Sequence, residues 1–158
     1  METGAIRFDT RAALDEQFRA CLAASSVRLD LFDPDFAVFP LGASEVDALL
    51  RAFLKRGGSL RLALHDSAHI ERHYPRFLRL LRDYSHQCEC RQTPRALREL
   101  RDSFCIGDDR HVVRRFHSDH MRGEAAFDAL GACELPGQRF LAIWEESRVV
   151  LQATTTGL

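Results

Sequence analysis

Hydrophobic residues along this chain switch their spacing repeatedly, from a period of two to a period near 3.6 and back, and that alternation restricts the fold more than any other feature. Leu14, Phe18, Cys21 and Leu22 fall at i, i+4, i+7 and i+8 behind Asp9-Thr10. Asp15 and Glu16 lie near the start, where a helix dipole favours acids, so a first helix is expected. Val27, Leu29 and Leu31 then alternate with Arg28 and Asp30, as in a strand with one buried face, until Asp33-Pro34-Asp35 stops it. Ser44, with Asp47 three residues on, is placed to cap a second helix with the stripe Val46, Leu49, Leu50, Phe53 and Leu54. Gly57-Gly58 supplies its left-handed stop.

The alternation continues. Leu60, Leu62 and Leu64 interleave with Arg61, Ala63 and His65, and Asp66-Ser67 turns the chain into a helical region. Pro75 belongs in a first turn there, ahead of Phe77, Leu78, Leu81 and Tyr84. Residues 88–91 form a short third strand ended by Pro94. Residues 103–106 and 111–116 are strand-like around Gly107-Asp108-Asp109-Arg110, which is a hairpin turn by composition, so this pair is antiparallel. Phe140, Ile143 and Trp144 share one side of a last helix, and residues 148–151 form a short strand or a docked tail. The order αβαβαβββα belongs to the open α/β class, a mixed sheet flanked by helices, in which ligand sites collect beyond the carboxyl ends of the strands.

Composition bounds the function. A chain of 158 residues, 46% apolar, is expected to form one domain that buries roughly 70% of its unfolded surface. With 22 basic and 23 acidic residues and a net charge of -1, no global field holds it on nucleic acid or an anionic membrane, so any anion site must be local. Its five cysteines are odd in number and lack C-x-x-C spacing, which argues for buried hydrophobes rather than disulfides or a zinc ribbon. Charges interrupt the first twenty residues and no later run reaches the ~20 apolar residues of a bilayer span, so a cytoplasmic location is expected.

Several segments, in this order and spacing, carry a resemblance. They are Leu-Phe-Asp-Pro-Asp-Phe at 31–36, Leu-Leu-Arg-Asp-Tyr-Ser-His at 80–86, Phe-Cys-Ile-Gly-Asp at 104–108, Arg115-Phe116-His117, Arg122-Gly123-Glu124 and Trp-Glu-Glu-Ser at 144–147. Over roughly residues 6–147 the chain resembles one half of the phospholipase-D-like fold. More closely, it resembles a family of bacterial domains of unknown function thought to share that fold and sometimes found beside an N-acetyltransferase domain. Catalytic members of the superfamily carry His-x-Lys-x4-Asp, whose imidazole attacks phosphorus while the lysine neutralises the phosphoryl oxygens. If Asp108 is the motif's aspartate, Arg101 stands at the histidine position and Ser103 at the lysine position. A guanidinium stays protonated and offers no lone pair, and a hydroxyl brings no positive charge. No other register works: six of the seven histidines lack a basic residue two positions on, and His120, followed by Arg122, has Phe127 where the carboxylate belongs.

The resemblance therefore implies a non-catalytic module that binds a phosphate-containing ligand or a partner protein. It also implies a homodimer, since the catalytic relatives need two facing motifs, and an N-acetyltransferase partner. The candidate binding residues are Arg101, Asp108, Arg115, His117, Arg122 and Glu124, with His65 and Asp66 at a neighbouring strand end. Arg115 and His117, two apart on one strand, can present donors on one face, although arginines of this kind also pair with nearby acids. The competing reading is a phosphodiesterase or phosphotransferase with a rearranged site built on His117, or on His65 with Asp66, beside Arg101 and Arg115. A nucleic-acid-binding remnant is disfavoured by the neutral charge. His65, His69 and His73, spaced by four, invite a metal, but a strand end and Pro75 break the register, so no metal and no cofactor is expected. Asp33, Asp35 and Asp66 read as turn and cap residues, and Trp144 as core.

Overall fold

The computed structural model describes residues 4–152, with elements β1 (Ile6–Phe8), α1 (Arg11–Ala24), β2 (Arg28–Asp33), α2 (Ser44–Lys55), β3 (Ser59–Leu64), α3 (Ala68–His73) and α4 (Pro75–Asp83). Then come β4 (Cys88–Gln92), a 3-10 turn (Arg95–Leu97), β5 (Ser103–Gly107), β6 (His111–Arg115), β7 (Gly123–Ala126), α5 (Leu130–Glu146) and β8 (Arg148–Val150). The strands make one mixed open sheet in the order β1-β7-β6-β5-β2-β3-β4-β8. β2, β3 and β4 are parallel, because helices return the chain between them, and the remaining neighbours pair antiparallel.

Side-chain alternation sorts the sheet into two faces. Leu29, Leu31, Leu60, Leu62, Leu64, Cys105 and Val113 lie on the face packed by Phe18 and Leu22 of α1, Leu50 and Phe53 of α2, and Phe77 and Leu80 of α4. Phe32, Ala63, Phe104, Ile106 and Val112 lie on the other face, under Phe140, Ile143 and Trp144 of α5, with Leu97 and Leu100 packed alongside. That second face is completed by charge. Asp30, 3% exposed, accepts from Arg28 and from two nitrogens of Arg61, whose guanidinium stacks 5.1 Å from the Phe140 ring.

Local signals behave as their chemistry demands, with three corrections. Thr10 caps α1 by accepting from Ala13 N at 3.1 Å, Gly57 takes φ 93° after α2, and Pro75 opens α4. Ser44, however, is the first helical residue rather than the cap. Ala43 occupies the cap without a side-chain bond, and Glu45 and Asp47 supply the negative charge at that end. β1 and β7 were not expected; each is three or four residues long and is held in place by pairing rather than by a hydrophobic pattern. β6 also stops at Arg115, so Phe116 and His117 leave the strand. Asp108 and Asp109, with φ 56° and 57°, form the tight turn of the β5–β6 hairpin. Among the described residues no helix is long and apolar enough to cross a membrane.

Candidate functional site

Antiparallel pairing decides which residues meet. Phe32 pairs with Phe104 and Ser103 with Arg115, so Asp33 at the end of β2, Ser103 at the start of β5 and Arg115 at the end of β6 lie in one row on one face. All three are buried. The Ser103 hydroxyl donates to Asp33 Oδ1, and Arg115 Nη2 donates to the same oxygen and to Ser103 Oγ, each at 3.2 Å. Asp33 Oδ2 accepts the amides of Asp35 at 3.0 Å and Phe36 at 2.6 Å. Burial pushes the Asp33 carboxyl up, while the Ser103 hydroxyl, the Arg115 guanidinium and the two amides pull it down.

Arg115 is 3% exposed, both of its hydrogen bonds leave from Nη2, and its buried Nε has no partner. A buried donor left unsatisfied costs about 1–3 kcal/mol, so an orphaned guanidinium N–H beside an opening is a functional candidate. Arg115 lines such an opening, a depression of about 410 Å³ shared with Arg101, Asp102, Arg114, His117 and Arg139. Arg139 engages Asp102 at 2.6 Å and Arg114 reaches Glu124 at 3.5 Å. Arg101, exposed, donates to Ser118 Oγ at 3.0 Å and makes no ion pair among the described residues.

Three of the candidate residues, Arg101, Arg115 and His117, thus meet in one place. His117 does not share the strand face of Arg115 as expected. It sits in the turn after β6, where its Nδ1 accepts from Asp119 N at 3.1 Å, and His120 Nδ1 likewise accepts from Arg122 N at 3.2 Å. Both rings then carry their proton on Nε2 when neutral. Arg122 and Glu124 line an adjoining depression of about 480 Å³ with Arg7, Phe8 and Asp9, and Phe116 borders both hollows.

The remaining candidates are placed elsewhere or are occupied. His65 is buried behind the site: its Nε2 donates to Leu100 O at 2.7 Å, which leaves Nδ1 to accept from Thr93 Oγ1 at 2.5 Å. It therefore braces the residue before Arg101. Asp66 is exposed and accepts from Ala68 N at 2.9 Å at the entry to α3. The His69 and His73 rings lie 4.6 Å apart, tilted to each other, without His65, and among the described residues no group of three metal-ligating side chains converges.

Asp108 lies at the opposite edge of the sheet, where its carboxylate accepts the amides of Ser26, Val27 and Arg28 at 3.0, 2.8 and 3.0 Å. Burial pushes this carboxyl up, but the three amides outweigh it and hold it below its ordinary value of 3.8. The sequence reading missed the Asp33–Ser103–Arg115 row. Its one visible trace is a polar or charged residue at the terminus of each of three apolar strands, the last of β2 and β6 and the first of β5.

The model of the family described as "Domain of unknown function (DUF7931)" matches residues 10–153. No curated protein matches. Solved structures do. The chain is similar to Nuc, a phospholipase D family member from Salmonella typhimurium, at 11% identity over 93% of this chain and 97% of that one, with a TM-score of 0.67. NucT from Helicobacter pylori is similar at 9% identity over 93% and 99% of the two chains, with a TM-score of 0.65. TrmBL2, an archaeal chromatin protein whose structure shows a novel mode of DNA binding, is similar at 13% identity and a TM-score of 0.71, over 94% of this chain and 54% of that one. At these identities the likeness shows the fold, which is phospholipase-D-like.

Proposed function

The chain belongs to the DUF7931 family of domains of unknown function, and on that premise we propose that it is a non-catalytic phospholipase-D-like module that binds a phosphate-containing ligand at the carboxyl edge of its sheet. The observation that carries this is Arg115: a guanidinium held rigidly by a buried carboxylate, with an unpartnered Nε, beside an open depression that also holds Arg101 and His117. A fixed, dehydrated guanidinium plus a solvated one is the donor arrangement that recognises a phosphate dianion. The edge itself is where open α/β sheets keep their ligands.

The same residues support the non-catalytic part of this reading. By the resemblance, the attacking imidazole and its lysine belong at Arg101 and Ser103. The first is a permanent cation, and the second is a fully buried hydroxyl committed to Asp33. His117, which lines the depression, hangs from the turn after β6 with Nδ1 engaged by Asp119 N, and His65 has both ring nitrogens engaged. A homodimer and an acetyltransferase neighbour belong to the same proposal on the strength of the family resemblance. The light-scattering mass of the purified chain tests the first.

Calorimetric titration with inorganic phosphate, paired with a turnover assay on bis(p-nitrophenyl) phosphate, tests the function. The expected result is saturable phosphate binding that weakens about tenfold in Arg101→Ala, and no hydrolysis. Turnover by the wild type that disappears in His117→Ala would establish the rearranged enzyme instead.

A further inference from the structure

Four arginines line the depression, and three of them already have a counter-charge: Arg115 engages Asp33, Arg139 engages Asp102 and Arg114 reaches Glu124. Arg101 makes no ion pair among the described residues. Glu99, which also lines the depression, makes none either, and Asp119 stands 3.4 Å from His117 Nδ1. With every acid counted, no surplus of positive charge draws an anion here. Binding must come from donors held in place before the ligand arrives, and an exposed arginine ordinarily loses rotamer freedom when it is held.

Arg101 is held in advance. Its Nε donates to Ser118 Oγ at 3.0 Å, its one side-chain hydrogen bond among the described residues, which leaves both Nη groups unspent. Each end of that bond is anchored. The carbonyl of Leu100, the preceding residue, accepts from His65 Nε2 at 2.7 Å. The turn that carries Ser118 is closed on itself by Phe116 N donating to Arg122 O at 3.0 Å and His120 N donating to His117 O at 3.3 Å, and Met121 packs against the main core. We infer that Ser118 is a positioning residue for the anion: by taking the Nε–H of Arg101 it fixes that guanidinium with its two Nη groups left for a phosphate.

The inference rests on the phosphate-binding reading and adds to it a residue that acts through Arg101. A hydroxyl suits the role because it is neutral. It orients the guanidinium without cancelling its charge, whereas a carboxylate, as Asp102 does for Arg139, would do both.

Calorimetry with inorganic phosphate on wild type, Ser118→Ala, Ser118→Thr, Arg101→Ala and the double variant Ser118→Ala/Arg101→Ala tests it. Ser118→Ala is expected to weaken phosphate binding about threefold, the cost of ordering one long side chain that is no longer held. Ser118→Thr keeps the hydroxyl and the affinity. In the Arg101→Ala background the serine change has no further effect, because the residue it positions is gone. The heteronuclear NOE of the Arg101 Nε–Hε group falls in Ser118→Ala and is retained in Ser118→Thr, a readout that a turn needed only for stability would not move. Phosphate binding that is unchanged or tighter in Ser118→Ala overturns the inference while leaving phosphate binding in place. So does a loss of the same size in the Arg101→Ala background, which would mean that Ser118 acts independently of Arg101. Failure of phosphate to bind wild type overturns the phosphate reading and the inference with it.

Discussion

Each end of the sheet holds an aspartate in a turn, Asp33 buried and Asp108 half-buried, and the two ends treat it in opposite ways. At one edge Asp108 faces three backbone amides, which fill its lone pairs and carry no charge of their own. At the other, Asp33 shares an oxygen with Ser103 and Arg115, so the carboxylate is satisfied while the guanidinium keeps an unmatched donor. The first arrangement is closed and holds the chain together. The second is also structural, but it leaves one guanidinium N–H without a partner in a residue that lines a depression. Capacity to bind resides in what a buried charge has left over after its structural partners are counted.

That contrast can be broken most severely at Asp33. Asp33→Ala leaves the Arg115 guanidinium buried without a counter-charge and is expected to cost about 3–5 kcal/mol, measured by urea unfolding. Adding Arg115→Ala should cost less than the sum of the two single changes, because the pair acts as a unit. Additive losses would mean that the two residues are independent.

The closed edge should respond less, and with pH. Asp108→Asn keeps an acceptor for the amides but removes its charge, with an expected loss of about 1.5–3 kcal/mol at neutral pH. Because the folded carboxyl is held below 3.8, its stabilisation is complete above that value and is lost as pH falls through the lower folded value. The difference between wild type and Asp108→Asn should therefore be constant from neutral pH down to about 4 and shrink below it. A constant difference at all pH values would show that the amides do not favour the charged form.

A similar loss is expected at Gly123, where an added Cβ would lie 1.9 Å from Arg114 O and 2.7 Å from the Phe8 ring. Gly123→Ala should cost roughly 1–3 kcal/mol by forcing β7 and β1 away from β6. Arg101→Ala should leave stability within about 0.5 kcal/mol of wild type, because the side chain is exposed and its one hydrogen bond is to Ser118. Its effect belongs to ligand affinity.

Much of the fold was legible because burial writes a period into sequence. α1, α2 and β4 show the spacing of elements with one buried stripe or face, and β2 and β3, covered on both faces, still alternate leucine on one side with charged, small or aromatic residues on the other. β7 reads Gly-Glu-Ala-Ala and β1 spans three residues, too short and too plain to carry a period, so only their partners define them. The site was half legible for the same reason. Arg101, Arg115 and His117 could be grouped because a resemblance put them near one strand end. Asp33, Ser103 and Arg115 could not be joined into a row, because that depends on the register of β2, β5 and β6, which no single segment encodes. Asp108 was misgrouped because an acidic turn at a strand's end looks the same at either edge of a sheet.

The decisive observable is the Nε–Hε signal of Arg115 in an NMR titration of the intact chain with inorganic phosphate. If phosphate binds at this end of the sheet, that signal moves with the amides of Arg101 and His117 and saturates with them, while Asp108 and its amide partners stay still. An Arg115 signal indifferent to phosphate, or shifts centred on the Asp108 turn, would contradict it.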